Sequence, residues 1–425
     1  MSSNIPVTDH TLSISPPKQE NPPSPAEQER PQPSSDTTNA PTPPRNPNTT
    51  PKNIWFPKLQ MVCPRGVEEE IDGFVGQREF VANNANFSKI EMIRVALEKF
   101  VVGVLPTASG VELFGSARST TMIPHSDLDF TIILNQEIEN PEDLLGEVKD
   151  VMKEDGTFTV EEFVPAGKLT NIKCSTNMQI WDQDEGTTLQ TPFLTKFDLV
   201  VENRIGMASC DLIRTYCSFD PRVRPFLLLV KRFAKAKGIA QAARQTLSCH
   251  AWNLSCLCFL QICNPPIIPN LQSEDYISAS DQTLVIDRMC GESHIRFSSD
   301  MGPWQSRQAG LIPNPNSKLQ SISPRPINEQ SLGSIFLSYL EFLGMHYDNK
   351  MALSLKHGGL VSTESISHLI KQEHRPSRYV IVEPFEFMRN AAVSVQKTAY
   401  IKKPVTAAAK YLQAGGSFLQ LISSK

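Results

Sequence analysis

The spacing of apolar residues changes several times along this chain, and each change predicts a different kind of element. From Ile54 to about Phe100 the apolar positions Phe87, Ile90, Ile93, Val95, Leu97 and Phe100 recur every three or four residues, the period of a helix. Gly110 to Phe114 then reads as a short strand, residues 117 to 122 as a helix start or tight loop, and the run through Leu134 as a second strand. A helix is predicted around Asp143 to Met152, and strands over Phe158 to Val164 and Phe197 to Val201. Strands interleaved with helices over roughly 105 residues predict a compact sheet domain. Beyond Gly206 the period turns helical. Asp220-Pro221 supplies a cap and a first-turn proline for a helix through Val223, Leu227, Val230 and Ala234. A further helix is expected from Thr246 to Cys263, and another from Leu332 to Leu343. Residues 273 to 330 are polar and broken by proline, which predicts a long, loop-rich connection, and Tyr379 to Glu383 reads as a strand.

Composition sets the first 51 residues apart. They hold 13 of the 33 prolines and only three large aliphatic residues, Ile5, Leu12 and Ile14, too few to bury a core. A disordered tail over 1–53 is expected, with protein partners as its conjectured role. It has neither the apolar centre of a secretion signal nor the acid-poor, arginine-rich face of a transit peptide. No apolar run approaches the roughly 18 residues of a membrane span, so no membrane partner is expected. The nine cysteines form no CxxC pair and sit mostly in apolar or helical text, the pattern of reduced, buried thiols in an intracellular protein; the cytoplasm is the expected location, with the nucleus as a further one. Net charge is −4, so charge alone would not coat nucleic acid, although a local basic groove is compatible with it.

The candidate chemistry begins at Phe114-Gly115-Ser116. Twelve residues after the glycine comes Asp127-Leu128-Asp129 at the head of an apolar strand, so both carboxylates leave one face and can share a divalent cation. Asp198 is a third acid set among apolar neighbours. Three acids on two strands suit a two-metal phosphoryl-transfer site. Gly115 and Ser116 would cradle phosphates at a turn entering a helix, and Asp198 would take the nucleophile's proton. Lys231 and Lys235, one helical turn apart, would add two charges against a triphosphate; a solvated helix face is the plain alternative.

With these residues in place the chain resembles the terminal uridylyltransferases and cytoplasmic poly(A) polymerases of the DNA polymerase β-like nucleotidyltransferase superfamily. The resemblance rests on Phe114-Gly115-Ser116, Ser126 to Asp129, Asp198, Ile213 to Tyr216, Asp220 to Pro225, Lys231 with Lys235, Pro265 to Pro269, Leu332-Gly333 and Glu383-Pro384-Phe385-Glu386. It implies an α+β, bilobal enzyme with a central cleft. Its mixed-sheet catalytic domain, 101–205, would interrupt a mostly helical PAP-associated domain built from 54–100 and 206–425, with 265–330 as the loop-rich insertion. It also implies template-independent addition of nucleotides to an RNA 3′ end from UTP or ATP, with Mg2+ or Mn2+. Tyr216 and Ser248 would contact the nucleotide, Ser248 on the phosphate side.

Departures from the family pattern gather where the base would sit. Cys249-His250 stands in place of Ser-Tyr, Ser209-Cys210 in place of Asn-Thr, Glu383 in place of Asp, and Arg389 in place of histidine. His250 would stack on the base or serve as a core histidine. Glu386 and Arg389 would read the base or pair with each other. Lys402, Lys403 and Lys410 read as a surface charge run, with RNA phosphate contact as the alternative. Uridylyl transfer is the leading reading; ATP-dependent polyadenylation and a catalytically silent RNA- or partner-binding protein are its competitors.

Overall fold

The structure, a computed structural model, describes residues 60–76, 87–137, 140–166, 170–178, 194–309, 311–312, 320–321, 327–370, 379–386 and 388–423; the expected tail lies outside them. Five strands, Ala108–Phe114 (β1), Leu128–Leu134 (β2), Thr159–Val164 (β3), Asn171–Thr176 (β4) and Thr195–Val201 (β5), form one mixed sheet in the order β1-β2-β5-β4-β3. Only β2 and β5 run parallel; the other neighbours are antiparallel.

Alternation along the central strands separates two faces. Leu128, Phe130 and Ile132 of β2, with Phe197 and Leu199 of β5, point into one core, where the helices Phe87–Val104 and Pro141–Asp155 contribute Ile93, Leu97, Leu145 and Val148. Asp129 and Asp198, one residue out of phase, therefore leave by the opposite face. The helix Phe87–Val104 thus packs on the sheet and not on the helical part to which the sequence assigned residues 54–100. Its stripe of Ile90, Ile93, Leu97 and Val101 fits the sheet's apolar face; only the shorter helix Arg65–Val75 joins the other core.

That second core is helical. Arg65–Val75, Arg204–Phe219, Val223–Ala236, Cys249–Ile262, Leu332–Glu341, Ala399–Gln413 and Phe418–Ser423 meet in it. Edge-to-face rings of Phe226, Phe259 and Tyr339 lie at its centre, with centroids 5.4 Å apart for two of the pairs. Arg65–Val75 is tied in by Glu68, whose carboxylate accepts the Gly333 N–H (2.9 Å) and the Ser331 hydroxyl (2.6 Å) at the start of Leu332–Glu341.

Three expectations shift. The helix after Asp220 begins at Val223, because the Asp220 carboxylate takes the Arg222 N–H and pairs with its guanidinium, holding Pro221 in the preceding turn. The segment read as loop-rich contains the helix Glu274–Ala279, a hairpin of Val285–Cys290 with Ser293–Ser298, and the helix Gly302–Gln308. Tyr379 to Glu383 forms isolated bridges, Leu353 with Ile381 and Val382 with Asn390, and not a strand.

The loop between Arg118 and β2 links the two cores. Met122 is buried in the sheet core and its neighbour Ile123 in the helical one. From the helical side Arg224 Nε donates to the Thr120 carbonyl (2.9 Å) and Lys231 Nζ to the Thr121 carbonyl (2.9 Å), while Arg118 is held in a two-pronged pair by Asp211 (2.8 and 2.9 Å). Among the described residues no helix is long and apolar enough to cross a membrane.

Candidate active site

The parallel register of β2 and β5 sets Asp129 directly beside Asp198, and the antiparallel register of β1 sets Phe114 against Asp129 from the other side. The chain leaving β1 must then turn under the Asp129 carboxylate. Gly115 does so at φ +63°, and a Cβ there would lie 1.9 Å from Asp129 Oδ2, so only glycine fits. The Ser116 amide donates to the Asp129 carboxylate. Asp127, just before β2, is exposed.

This packing leaves like charges facing one another. Asp129 is pushed up to about 7, first by burial and then by the charge of Asp198, with Lys231 partly offsetting both. Asp198 is pushed up to about 6 by burial and by Asp127, with Lys173, its register partner on β4, pulling the other way. Among the described residues no three His, Cys, Asp or Glu side chains close into a ligand cage. Asp127, Asp129 and Asp198 are an open oxygen set, of the kind a hard divalent ion completes with water and phosphate oxygens.

The helical core supplies the facing wall of a cavity of about 440 Å³. Lys231 is 3% exposed and Lys235, one turn later, is exposed; both line it. Burial lowers the Lys231 ammonium to about 8, against the opposing pull of Asp129. Ser209 and Cys210 line it from Arg204–Phe219, and the Cys210 thiol donates to the Gly115 carbonyl (3.4 Å).

At the other end stand Cys249, His250, Glu383, Glu386 and Arg389. His250 Nε2 and Glu383 Oε2 are 2.9 Å apart, with 34% of the His250 side chain still exposed. Burial pulls His250 down, but the Glu383 charge and hydrogen bond outweigh it and raise it; burial pushes Glu383 up, and His250 and Arg389 outweigh that and lower it. Arg389 Nη1 donates to Glu386 (3.2 Å), and the turn carrying both is closed by the Arg389 N–H on the Glu386 carbonyl (2.7 Å). Buried Asn390 stitches that turn, accepting from the Ile381 and Ala392 amides and donating to the Tyr379 carbonyl.

Two expected contacts lie elsewhere. Ser248 does not line the cavity: its hydroxyl caps Cys249–Ile262 by accepting the Ala251 N–H (3.1 Å). Tyr216 is fully buried in the helical core, its hydroxyl accepting from Gln261 and the Leu271 amide. Lys402 donates to the Tyr347 carbonyl (2.6 Å), while Lys403 and Lys410 are exposed. The cavity also gathers Ser119, Thr121, Asn203 and Asn253, which sequence reasoning missed. For Thr121 a signal existed, its place between the Gly-Ser turn and the acidic strand; for Asn253 it was the one-turn step from Cys249.

Residues 70–218 match the family model "Poly(A) RNA polymerase, mitochondrial-like, central palm domain". Along its length the chain is 25% identical over 316 residues to Poly(A) RNA polymerase GLD2-B of Xenopus laevis, covering 74% of this chain and 54% of that one. It is 24% identical over 338 residues to terminal uridylyltransferase cid1 of Schizosaccharomyces pombe, covering 76% and 71%. The chain is similar to the terminal uridylyltransferase and poly(A) polymerase family, whose palm-domain model matches its residues 70–218. Its fold is shared with that family's solved structures. Cid1 in complex with its short product ApU superposes with a TM-score of 0.61 at 18% identity, over 84% of this chain and 99% of that one. The palm match contains Gly115, Asp127, Asp129 and Asp198, so the family's own domain carries the carboxylate end of the cavity. The chain spans about half the length of the GLD2-B relative, 54%.

Proposed function

We propose that this chain is a template-independent RNA 3′-terminal nucleotidyltransferase that adds uridylate from UTP. The observation that carries this is one cavity in which Asp129 and Asp198, locked side by side by strand register, face Lys231 and Lys235 across the Gly115-Ser116 turn. Relatives named for poly(A) polymerase and for uridylyl transfer support RNA ends as acceptor.

Asp127, Asp129 and Asp198 fit Mg2+ or Mn2+, since an all-carboxylate set left self-repelling is relieved by a hard cation. When bound, such an ion supplies Lewis-acid stabilisation of phosphoryl oxygens and acidifies a hydroxyl beside it. The protein's part is then fourfold. Lys231 and Lys235 neutralise the triphosphate, and Ser116 donates to it from the turn. Asp198 receives the proton of the RNA 3′-hydroxyl as its oxygen bonds to the α-phosphorus and pyrophosphate leaves. His250 offers a ring to the base. Arg389 carries donors only, which suits the two carbonyl oxygens on uracil's edge, and Glu386 accepts from the N3–H between them.

A second reading, ATP as donor, is favoured by the poly(A) polymerases among the relatives. Extension of a short RNA primer with each of the four nucleoside triphosphates, beside the Asp129→Ala variant, tests both. UTP incorporation that the variant loses by at least about 10³-fold is expected; ATP preference would select the second reading, and extension with no nucleotide would end both.

A further inference from the structure

Several described side chains hold a buried polar atom without a hydrogen-bond partner, but of these only Asn253 lines the cavity. It is 5% exposed, and Oδ1 is the unpartnered atom. Its Nδ2 donates to Thr121 Oγ1 (3.2 Å), Thr121 Oγ1 lies 2.9 Å from Ser119 Oγ, and Ser119 Oγ donates to the Gly115 carbonyl (2.9 Å). Each hydroxyl has one proton to give, so the chain is directed, Asn253 to Thr121 to Ser119 to Gly115. Its free end is an acceptor.

Toward a phosphate oxygen an acceptor is the wrong group. Thr121 also holds Lys231 through its carbonyl and the Ser116 carbonyl through its amide, so Asn253 sits at the end of the cavity where cations and the Gly-Ser turn gather. A half-turn of the amide about χ2 reverses the chain: Thr121 donates to Oδ1, Ser119 donates to Thr121, and the amide NH2 becomes the free end. Nothing is orphaned by the reversal, because the Gly115 carbonyl keeps the Ser119 amide (3.1 Å) and the Cys210 thiol (3.4 Å). The freed NH2 then needs an acceptor that the protein does not provide.

We infer that Asn253 is a polyphosphate-binding residue, its amide turning over to donate to a phosphate oxygen of the bound triphosphate while the Thr121–Ser119 hydroxyl chain reverses behind it. This rests on the nucleoside-triphosphate reading above. Calorimetric titration of the full chain with inorganic tripolyphosphate and, separately, with uridine monophosphate, both with magnesium chloride, tests it. Asn253→Leu is expected to weaken tripolyphosphate about tenfold, the worth of one hydrogen bond to a charged group, and uridine monophosphate less than about twofold. Asn253→Asp, which keeps the shape and adds a like charge, is expected to weaken it further and decides the matter if the leucine variant does not fold. Thr121→Val should also weaken tripolyphosphate, and adding it to Asn253→Leu should cost nothing more, since the two act through one chain. Unchanged tripolyphosphate affinity in both Asn253 variants, or equal loss for both ligands, overturns the inference. Failure of the unmodified chain to bind tripolyphosphate or any nucleoside triphosphate would instead bring down the nucleotidyltransferase reading, and this inference with it.

Discussion

The two ends of the cavity are built on opposite electrostatic plans. At the sheet end like charges are forced together: Asp129 stands beside Asp198 because β2 and β5 are in parallel register, and Lys231 and Lys173 offset the effects of burial and repulsion only in part. At the end that carries Cys249 and Glu383 the charges stand in opposite pairs, His250 with Glu383 and Arg389 with Glu386. The first end is frustrated as it stands, and the cation and triphosphate of the proposed function would relieve it. The second is satisfied as it stands, so under the proposed function a base would have to compete with ion pairs already made, and selectivity there would be the small difference between two larger affinities.

The sharpest way to break this contrast is Gly115→Ala. The added methyl would collide with Asp129 Oδ2, so turnover is expected to fall about 10²-fold or more in a primer-extension assay. Gly156→Ala is the matched control: Gly156 also has positive φ, +72°, but nothing lies within 4 Å of its Cβ position. It should lower stability by about 1–2 kcal/mol in thermal melts and leave turnover unchanged. Equal activity losses in the two variants would show that backbone strain, and not the carboxylate contact, makes Gly115 necessary.

Arg389→Met probes the paired end. Losing the guanidinium frees Glu386, and the ratio of kcat/KM for UTP over ATP is expected to fall about tenfold, with kcat for the better nucleotide changing less than about threefold. A collapse of kcat with both nucleotides would place Arg389 in the phosphate chemistry.

The smallest effect is that of His250→Gln on stability. His250 is raised, so its contribution is full below its ordinary value of 6.5 and is lost as pH rises through the folded value. Glu383 is lowered, so its contribution is full above its ordinary value of 4.5 and is lost as pH falls through the folded value. The two together predict a window between those values. The melting difference between the parent and His250→Gln should peak near about pH 5.5, at about 1 kcal/mol or less given the exposed ring, and shrink toward about pH 8. A pH-independent difference would reduce the pair to packing.

The same contrast explains what the sequence could reveal. The carboxylate strand, the Gly-Ser turn and Asp198 were legible because period-two alternation and one glycine are local signals. Lys231 was legible as a helical neighbour of Lys235, but not its burial, which comes from nearly every face of Val223–Ala236 being packed. Tyr216 was misplaced because a helix delivers a ring to whichever side tertiary packing demands, here to Gln261 and Leu271. The hairpin of Val285–Cys290 and Ser293–Ser298 escaped because its first strand buries no residue, and only Ile295 and Phe297 of the second alternate inward. Phe297 then reaches Phe385, ring centroids 5.9 Å apart, a support behind the Glu386 turn that no local pattern announces.

The helix Arg65–Val75 has a consequence for synthesis. Phe74 meets Phe418 at 5.5 Å, and Glu68 meets the start of Leu332–Glu341, so its partners are made long after it. The sheet core, drawn from residues between Ile90 and Val201, depends on none of them. At about 5–20 residues per second the early helix waits tens of seconds on the ribosome with Val67, Ile71 and Phe74 unburied. The carboxylate half of the cavity therefore has the means to form while the lysine half is still being translated, and the nascent chain carries that acidic face without Lys231 and Lys235 for that interval.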